Sequence, residues 1–315
     1  MRRVREWCVI VTSVVSVGGT TAANAQQFIP IPQPAGAVYS YYAADVNDAG
    51  VVVGHYYDEE GRVHSTLVQN GVHQSIDVPG AWGTQALGIN NLGQVVGSFV
   101  IDPAENSTPF IYANGTHTPL ALPGPLAVPF DINDHGIVVG TAWDPSFAFT
   151  SAFVYGPGGT QLLRYPGALF TTLESINNRG DALGGAGDAF TGTAIRYSNG
   201  TLSIPDPLPG GAGCSVNGLS DSGDFVGGCN DAGGLGTSGY LFTGGESHRL
   251  TYAGDPSTFF HKISASGSIV GSSNSGAFLV LRSKLVDPVP DLLGGDGLTE
   301  DFDDLASMGR PVQGV

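Results

Sequence analysis

Charge is scarce in this sequence of 315 residues, and positive charge is the scarcest. Asp, Glu, Lys and Arg together make up 13% of the chain, with 12 Lys and Arg against 28 Asp and Glu, a formal net charge of −16. Beyond the N-terminus the basic residues do not cluster, so no patch is present that could neutralise phosphate. This composition excludes nucleic acid and anionic membrane surfaces as partners. Neutral and cationic ligands remain open.

Long apolar runs are also lacking. The longest, residues 9–17, follows a basic start and is too short and too rich in Ser, Thr and Gly to cross a bilayer. Ala23 and Ala25 stand at the two positions that a signal peptidase reads. The pattern predicts a signal peptide over residues 1–25. We therefore expect a monomeric mature chain without a membrane span, secreted or periplasmic in a bacterium.

Glycine, by contrast, is abundant, with 48 residues, and part of it is periodic. Six glycines, each closing a short polar turn, follow one another at intervals of 43 or 44 residues. They are Gly50, Gly93, Gly136, Gly180, Gly223 and Gly267. A fixed interval of this size indicates a repeat architecture.

The turns before these glycines carry asparagine in the first four copies, at Asn47, Asn90, Asn133 and Asn177. Asn can bond its own backbone and Gly can adopt positive φ, so the pair is typical of a tight turn between strands. A calcium site would need several alternating oxygen ligands in one short segment, which these turns do not have. We interpret these residues as structural and expect no metal.

Each repeat has room for four antiparallel strands, because a Val-rich strand follows the turn and a hairpin such as Asn70-Gly71 comes later. Six such units over residues 26–285 predict an all-β fold, a six-bladed β-propeller. The sixth unit lacks a fourth strand, and residues 28–32 resemble the fourth strands of the other units. We expect this N-terminal strand to complete the sixth blade; an open solenoid is the alternative. Residues 286–315 form an acidic tail for which we predict disorder.

The motif Ile89-Asn90-Asn91-Leu92-Gly93-Gln94-Val95-Val96-Gly97 and the third-strand pair Ala152-Phe153 resemble the HAF-repeat family of bacterial extracellular proteins. The histidine of the family's namesake tripeptide survives here only as His64. The resemblance covers residues 40–281 and implies a secreted repeat protein. It supplies no catalytic residues.

Two cysteines, Cys214 and Cys229, flank the fifth turn, and their midpoint falls at its centre. In a hairpin centred there the two face each other across strands, close enough for a bridge. The expected oxidising compartment favours a disulfide over two free thiols.

The propeller topology defines two faces. The turn face carries the repeated glycine turns, and the loop face carries the second-to-third-strand loops and the crossings between blades, which vary in length and chemistry. Variable loops on a rigid scaffold are where binding usually lies. The candidate ligand-binding residues on the loop face are Asp58, Glu59, Trp82, Asp102, Trp143, Asp144 and Phe170. Aromatic rings beside carboxylates suit sugars; the alternative is that the two tryptophans pack between blades.

The sequence contains no recognisable catalytic set. It has no Gly-x-Ser-x-Gly elbow, no phosphate loop with lysine, and no histidine pair at metal-ligand spacing, so we expect no cofactor. We predict a binding or interaction module for an extracellular glycan or protein. The alternative is a polysaccharide lyase or hydrolase with its site in the central funnel, where a His and two carboxylates within hydrogen-bond reach would favour catalysis.

Overall fold

The computed structural model describes residues 28–188, 192–205, 214–230, 237–252, 255 and 257–281. The predicted signal peptide and the predicted acidic tail lie outside these residues. The described part of the chain is built entirely from strands and turns, and none of its segments is a helix of the length and apolarity that a membrane span requires.

The described residues form 24 strands. They are β1 (Phe28–Pro30), β2 (Tyr42–Val46), β3 (Val52–Tyr57), β4 (Val63–Gln69), β5 (Val72–Ser75), β6 (Gly83–Ile89), β7 (Val95–Val100), β8 (Thr108–Ala113), β9 (Thr116–Pro119), β10 (Ala127–Ile132), β11 (Val138–Trp143), β12 (Thr150–Gly156), β13 (Gly159–Leu163), β14 (Phe170–Ile176), β15 (Ala182–Gly187), β16 (Gly192–Ser198), β17 (Thr201–Ser203), β18 (Cys214–Leu219), β19 (Phe225–Asn230), β20 (Thr237–Thr243), β21 (Glu246–Leu250), β22 (Thr258–Ile263), β23 (Ile269–Ser273) and β24 (Gly276–Val280).

The strands form six four-stranded antiparallel sheets, and the prediction of a six-bladed β-propeller is confirmed. Five blades consist of four consecutive strands, beginning with β2, β6, β10, β14 and β18. The sixth has the order β1-β24-β23-β22, so the N-terminal strand closes the ring as predicted. Hydrophobic clusters between neighbouring blades form the core.

A second periodic glycine lies inside the second strand of every blade. The first strand of each blade, called the inner strand below, has a β-bulge. The glycine of the second strand pairs with the residue before the bulge, as Gly54 does with Ala43. A Cβ at Gly54 would collide with the carbonyl oxygen of Tyr42. The other five such glycines have the same conflict with their inner strands, so close backbone approach requires glycine here.

The turn asparagines connect each blade to the next. In the first blade, Asn47 Oδ1 accepts hydrogen bonds from the backbone N–H groups of Ala49 and Val51, which fixes the turn. Its Nδ2 donates to the carbonyl oxygen of Asn90 at 3.3 Å, and the next three turns repeat this link. The six turn glycines have φ between 71° and 101°, a region that side chains rarely adopt.

The residue after each turn asparagine forms a second ring, in which Asp and Asn alternate. Asn91 Nδ2 donates to Asp48 Oδ2 at 3.0 Å and to Asp134 Oδ2 at 2.9 Å. Asn178 bridges Asp134 and Asp221 in the same way. At the sixth position Ala265 replaces the amide, and Ser266 N–H donates to Asp48 instead. Amides between carboxylates keep this acidic ring free of direct charge repulsion.

Changing Asn91→Asp should destabilise the protein near neutral pH, because three carboxylates would then be adjacent and two amide donors lost. The ring is partly solvated, so we expect a loss of about 1–2 kcal/mol in the free energy of unfolding. The loss should become smaller below about pH 4, where carboxyl groups begin to protonate. Urea unfolding at both pH values measures it. Asn114→Asp, in an exposed hairpin turn at φ 51°, is the matched control; an equal effect of both changes would contradict the role of the ring.

The predicted disulfide is confirmed. Cys214 in β18 and Cys229 in β19 lie directly opposite each other, with their Cα atoms 4.0 Å apart and their sulfurs bonded. The bridge connects the first two strands of the fifth blade. In this blade Ser220 stands at the turn position that asparagine occupies in the first four blades.

Candidate ligand-binding face

An ion pair crosses the central channel. Lys262, on the sixth inner strand, reaches across to Asp131 on the third, with Nζ 2.9 Å from Asp131 Oδ2. Lys262 Nζ also donates to the backbone carbonyl oxygen of Glu174. Both charged side chains are buried. This pair, called the crossbar below, separates the channel into a turn-face part and a loop-face part.

The turn-face part of the channel is too small for a sugar. Its cavity has a volume of about 40 Å³ and is lined by the inner-strand ends and the turn asparagines. Beside it lies Asp45, whose pKa is raised to about 8, by burial first and then by Asp131. Asp45 accepts backbone hydrogen bonds from Val46 and Ile89 and thereby connects the first two blades. The loop-face part of the channel, called the funnel, is the remaining candidate.

Three of the predicted ligand-binding residues stabilise the loops in which they lie. Asp58, Asp102 and Asp144 each follow the second strand of a blade, and each begins a turn closed by a backbone bond to its carbonyl oxygen. Their side-chain oxygens accept further backbone N–H groups of the same loops. For Asp144, the Ser146 hydroxyl is the main cause of a pKa lowered to about 2. These carboxylates are engaged within the loops, and their role in ligand binding stays a prediction.

The other predicted residues lie around the same face. Trp82, in the crossing to the second blade, is 38% exposed, whereas Trp143 is half-buried at the end of β11. Glu59 is exposed at the tip of the first blade's loop. Phe170 is half-buried and packs close to Gly185 and Gly192. The structure therefore spreads the predicted residues over four blades and does not bring them into one pocket. The repeat also predicts Asn230 and Asp231 for this face; Asp231 and the side chain of Asn230 lie outside the described residues.

His64 forms a clamp between a loop and a crossing of the first blade. Its Nε2 lies 3.0 Å from Asp58 Oδ2 and its Nδ1 2.8 Å from Asp77 Oδ2. Arg62 also pairs with Asp58, at 2.8 Å, and with Glu60. Partial burial lowers the pKa of His64, but the hydrogen-bonded carboxylates outweigh it, and the net shift is upward. Neutral imidazole has one N–H, so only the imidazolium donates to both carboxylates.

The clamp predicts a pH-dependent stability. Because the pKa of His64 is raised on folding, its contribution is fully present below the unfolded pKa of about 6.5 and is lost as pH rises through the folded value. His64→Ala should therefore lower the free energy of unfolding at pH 5.5 more than at pH 9, measured in urea. His135→Ala, at an exposed turn, is the control. An effect of His64→Ala that is equal at both pH values would contradict the clamp.

Exposed hydrophobic side chains concentrate on the loop face. Of the twelve large ones among the described residues, eight lie there, two, Val72 and Leu92, lie on the turn face, and two, Leu162 and Ile204, lie in or next to outer strands. The eight are Val38, Tyr39, Tyr42, Tyr57, Trp82, Ile101, Phe147 and Leu169. Phe147 is 55% exposed and has φ 56°, an unfavourable conformation that its loop imposes. Such a concentration marks a face for contact with a ligand or partner.

Six rings on this face form a continuous path, called the aromatic ribbon below. It contains Tyr39, Tyr57, His55, Tyr42, His261 and Phe259, in this order. Successive ring centroids are 6.4, 6.3, 5.0, 4.4 and 5.6 Å apart. The ribbon begins at the rim of the first blade, where Tyr39 is 69% exposed, and ends at the inner strands beside the funnel.

The two histidines of the ribbon are neutral near pH 7. Burial lowers the pKa of His55 and that of His261 to about 4 in each case. His261 is also fixed in place, with Nδ1 2.7 Å from the carbonyl oxygen of Ala43 and Nε2 2.9 Å from Ser272 Oγ. Its ring stacks on Tyr42 at an interplanar angle of 18°. The exposed tyrosines are therefore supported by a rigid, uncharged layer.

The sequence interpretation missed the ribbon. One signal was available, since five of the 11 tyrosines fall between residues 39 and 57. The stacking partner His261 comes from the other end of the propeller, 219 residues after Tyr42, and no local pattern connects the two. Among the described residues no group of three or more His, Cys, Asp or Glu side chains is arranged to hold a metal ion.

No family model and no curated protein matches the chain. Among solved structures, it is similar to AofleA from Arthrobotrys oligospora, with a TM-score of 0.49 and 10% identity over 80% of this chain and 84% of that one. It is similar to a gluconolactonase from Xanthomonas campestris (TM-score 0.47, 14% identity, 81% and 89% coverage). A β-propeller domain of a protease from Pyrococcus furiosus has a TM-score of 0.46 at 10% identity, with 76% and 93% coverage. Similarity at this level carries no argument about ligand or activity.

Proposed function

We propose that the protein is a glycan-binding module and that the aromatic ribbon on the loop face is its binding surface. The ribbon carries the proposal, because it presents exposed tyrosine rings along a line that leads into the funnel. Sugar rings stack their C–H faces on such aromatic rings, and tyrosine hydroxyls bond sugar hydroxyls. The linear arrangement fits several consecutive sugar units better than a single one.

The charge of the molecule supports a glycan over an anionic ligand. The net charge is −16, and acidic residues such as Glu59 and Glu105 are exposed in the loops of this face. Neutral sugars bind without charge neutralisation, whereas a polyanion would meet repulsion from these side chains. The rigid support of Tyr42 by His261 reduces the entropy lost when a ligand binds.

The enzyme alternative has less support. A histidine with two carboxylates in hydrogen-bond reach does occur, in the contacts of His64 with Asp58 and Asp77. Asp58 lies in the loop between β3 and β4, His64 in β4 and Asp77 after β5, so none of the three belongs to the inner strands that line the funnel. Asp58 is also paired with Arg62. We therefore propose binding without turnover.

Membership of the HAF-repeat family and export from a bacterial cell are proposals of the same kind. They rest on the repeat motif and on residues 1–25, and an extracellular glycan is a ligand that an exported protein would meet. Edman sequencing of the exported protein, expected to begin at Gln26, tests the export.

The binding proposal is tested by screening the protein on a glycan array and measuring the best neutral oligosaccharide by calorimetry. Tyr39→Ala and Tyr57→Ala should each weaken its binding roughly tenfold, because each removes a stacking ring. Leu92→Ala, at a residue as exposed as Tyr39 but on the turn face, should change nothing. Binding of an extracellular protein but no glycan, or equal binding by all variants, would overturn the proposal; release of a sugar product would support the enzyme instead.

A further inference from the structure

Three exposed hairpins between third and fourth strands turn through the dipeptide Asn-Gly. They are Asn70-Gly71, Asn114-Gly115 and Asn199-Gly200. Each asparagine has a positive φ of 49–51°, and glycine follows because a two-residue turn of this type needs positive φ at both positions. Within the part of the chain that the structure describes, no group bonds the carboxamide of Asn70 or accepts a hydrogen bond from the N–H of Gly71.

An exposed Asn-Gly pair can react with itself. The backbone nitrogen of the glycine loses its proton and attacks Cγ of the asparagine, so that a C–N bond forms and the side-chain nitrogen leaves as ammonia. Glycine favours the attack because it has no Cβ to crowd the nitrogen. Water then opens the cyclic imide at either carbonyl and gives aspartate or isoaspartate. In isoaspartate the main chain runs through Cβ and Cγ, so it gains one methylene, and a carboxylate replaces the neutral amide.

The turn at Asn70 has a contact that the other two turns lack. A Cβ placed on Gly71 would lie 3.6 Å from Cγ of Pro32, whereas the corresponding glycines of the other two turns have no such neighbour within 4 Å. His73, two residues further along the chain, has Nε2 2.8 Å from the carbonyl oxygen of Pro32. The hairpin of the first blade therefore holds Pro32 through two contacts.

Pro32 belongs to the segment that closes the ring. It follows Ile31, whose N–H donates to the carbonyl oxygen of Ala277 at 2.9 Å, next to the pairing of β1 with β24. Among the described strands β1 has no hairpin to its neighbour, so its position depends on this pairing and on contacts such as those of Pro32. The second blade gives the comparison. There His117 bonds the carbonyl oxygen of Ile76 in the same way, but Ile76 follows β5, which a hairpin joins to β4.

We propose that Asn70 is a site of spontaneous deamidation and that its isoaspartate form weakens the closure of the ring. The added methylene displaces Gly71 and His73 relative to β4, so both contacts with Pro32 are lost. The same reaction at Asn114 lengthens an equivalent turn but leaves the closing strand in place. Because the lost ammonia is not regained, the modification lowers the stability of the propeller progressively with time.

The test incubates the full chain in warm, mildly alkaline buffer, which deprotonates more of the glycine nitrogen. Peptide mass mapping, with an isoaspartyl methyltransferase as the probe, should find isoaspartate at Asn70. Hydrogen exchange of residues 28–32 should become faster. The melting temperature should fall by about 2–4 °C, the shift expected when one hydrogen bond is lost in a chain of this size.

Asn70→Gly removes the reacting carboxamide. This variant should fold, because the equivalent turn of the fifth blade is Gly244-Gly245, with φ of 62° and 89°. After incubation it should keep its own initial melting temperature and its slow exchange at residues 28–32. The matched variant Asn114→Gly should change with incubation as the wild type does.

An unmodified Asn70 in the incubated wild type would overturn the proposal, as would equal protection by the two variants. Isoaspartate at Asn70 without faster exchange at residues 28–32 would also overturn it. None of these measurements uses a glycan, so their outcome does not depend on the proposed function.

Discussion

Deleting residues 26–32 should lower the melting temperature by more than about 10 °C, because it removes the strand that closes the ring. β1 pairs with β24 through Phe28, Ile29 and Pro30. Ile29 packs in the core between the first and sixth blades, and Phe28 in the core between the fifth and sixth. The deletion therefore opens two cores at once and exposes the edge of β24.

The expected loss is about 5 kcal/mol, from two to three apolar side chains of roughly 1.5–3 kcal/mol each, with smaller contributions from the ladder hydrogen bonds. This is a large fraction of the stability of an ordinary domain. Phe28→Ala should give an intermediate decrease in melting temperature. The centroid of the Phe28 ring lies 5.1 Å from that of Phe278 and 5.3 Å from that of Tyr252. Val72→Ala, 70% exposed on an outer strand, is the control. An unchanged melting temperature of the deletion variant would refute the closure.

The crossbar should show the second large effect. Lys262→Met should reduce the free energy of unfolding by about 3–5 kcal/mol near neutral pH, because it leaves the buried carboxylate of Asp131 without its cation. Its carboxyl oxygens keep only the backbone donors of Ile132 and Ile176. The destabilisation should therefore be smaller in acid, where carboxyl groups protonate and the uncompensated negative charge is lost.

Urea unfolding of the variant and the wild type between pH 4 and pH 8 measures this difference. Adding Asp131→Asn to Lys262→Met should recover part of the loss, because the uncompensated charge is removed as well. Arg179→Met is the control. Arg179 is exposed and lies 3.6 Å from Asp181, which keeps Arg196 at 3.0 Å in this variant, so the change should cost less than about 1 kcal/mol. A pH-independent effect of Lys262→Met would show that the side chain contributes packing and not charge.

Much of the fold could be predicted from the sequence. The interval between Gly50 and Gly93 and its repetition determined the number of blades. The missing fourth strand at the C-terminal end predicted the pairing of β1 with β24, and the symmetric spacing of Cys214 and Cys229 about a turn predicted their bond. All of these features follow from local turn chemistry and from strands that pair with their neighbours in the chain, which short sequence patterns encode directly.

The candidate site was predicted only as a face. Sequence composition selected Asp58, Asp102 and Asp144 because they are acidic residues in variable loops, but their oxygens bond the N–H groups of those same loops. A loop sequence that begins with Asp, such as Asp-x-x-Gly, is the same whether its carboxylate stabilises a turn or binds a ligand. Only the hydrogen bonds of the folded chain distinguish these roles.

The sequence by itself determined the repeat, its turns, the closure of the ring and the disulfide. The tertiary structure alone decided the crossbar of Lys262 and Asp131, 131 residues apart, and the stacking of Tyr42 on His261. Ring closure is the physical reason, because it brings the first blade beside the sixth and sets the third opposite the sixth across one axis. Contacts at that axis depend on all six blades together and leave no periodic trace in the chain.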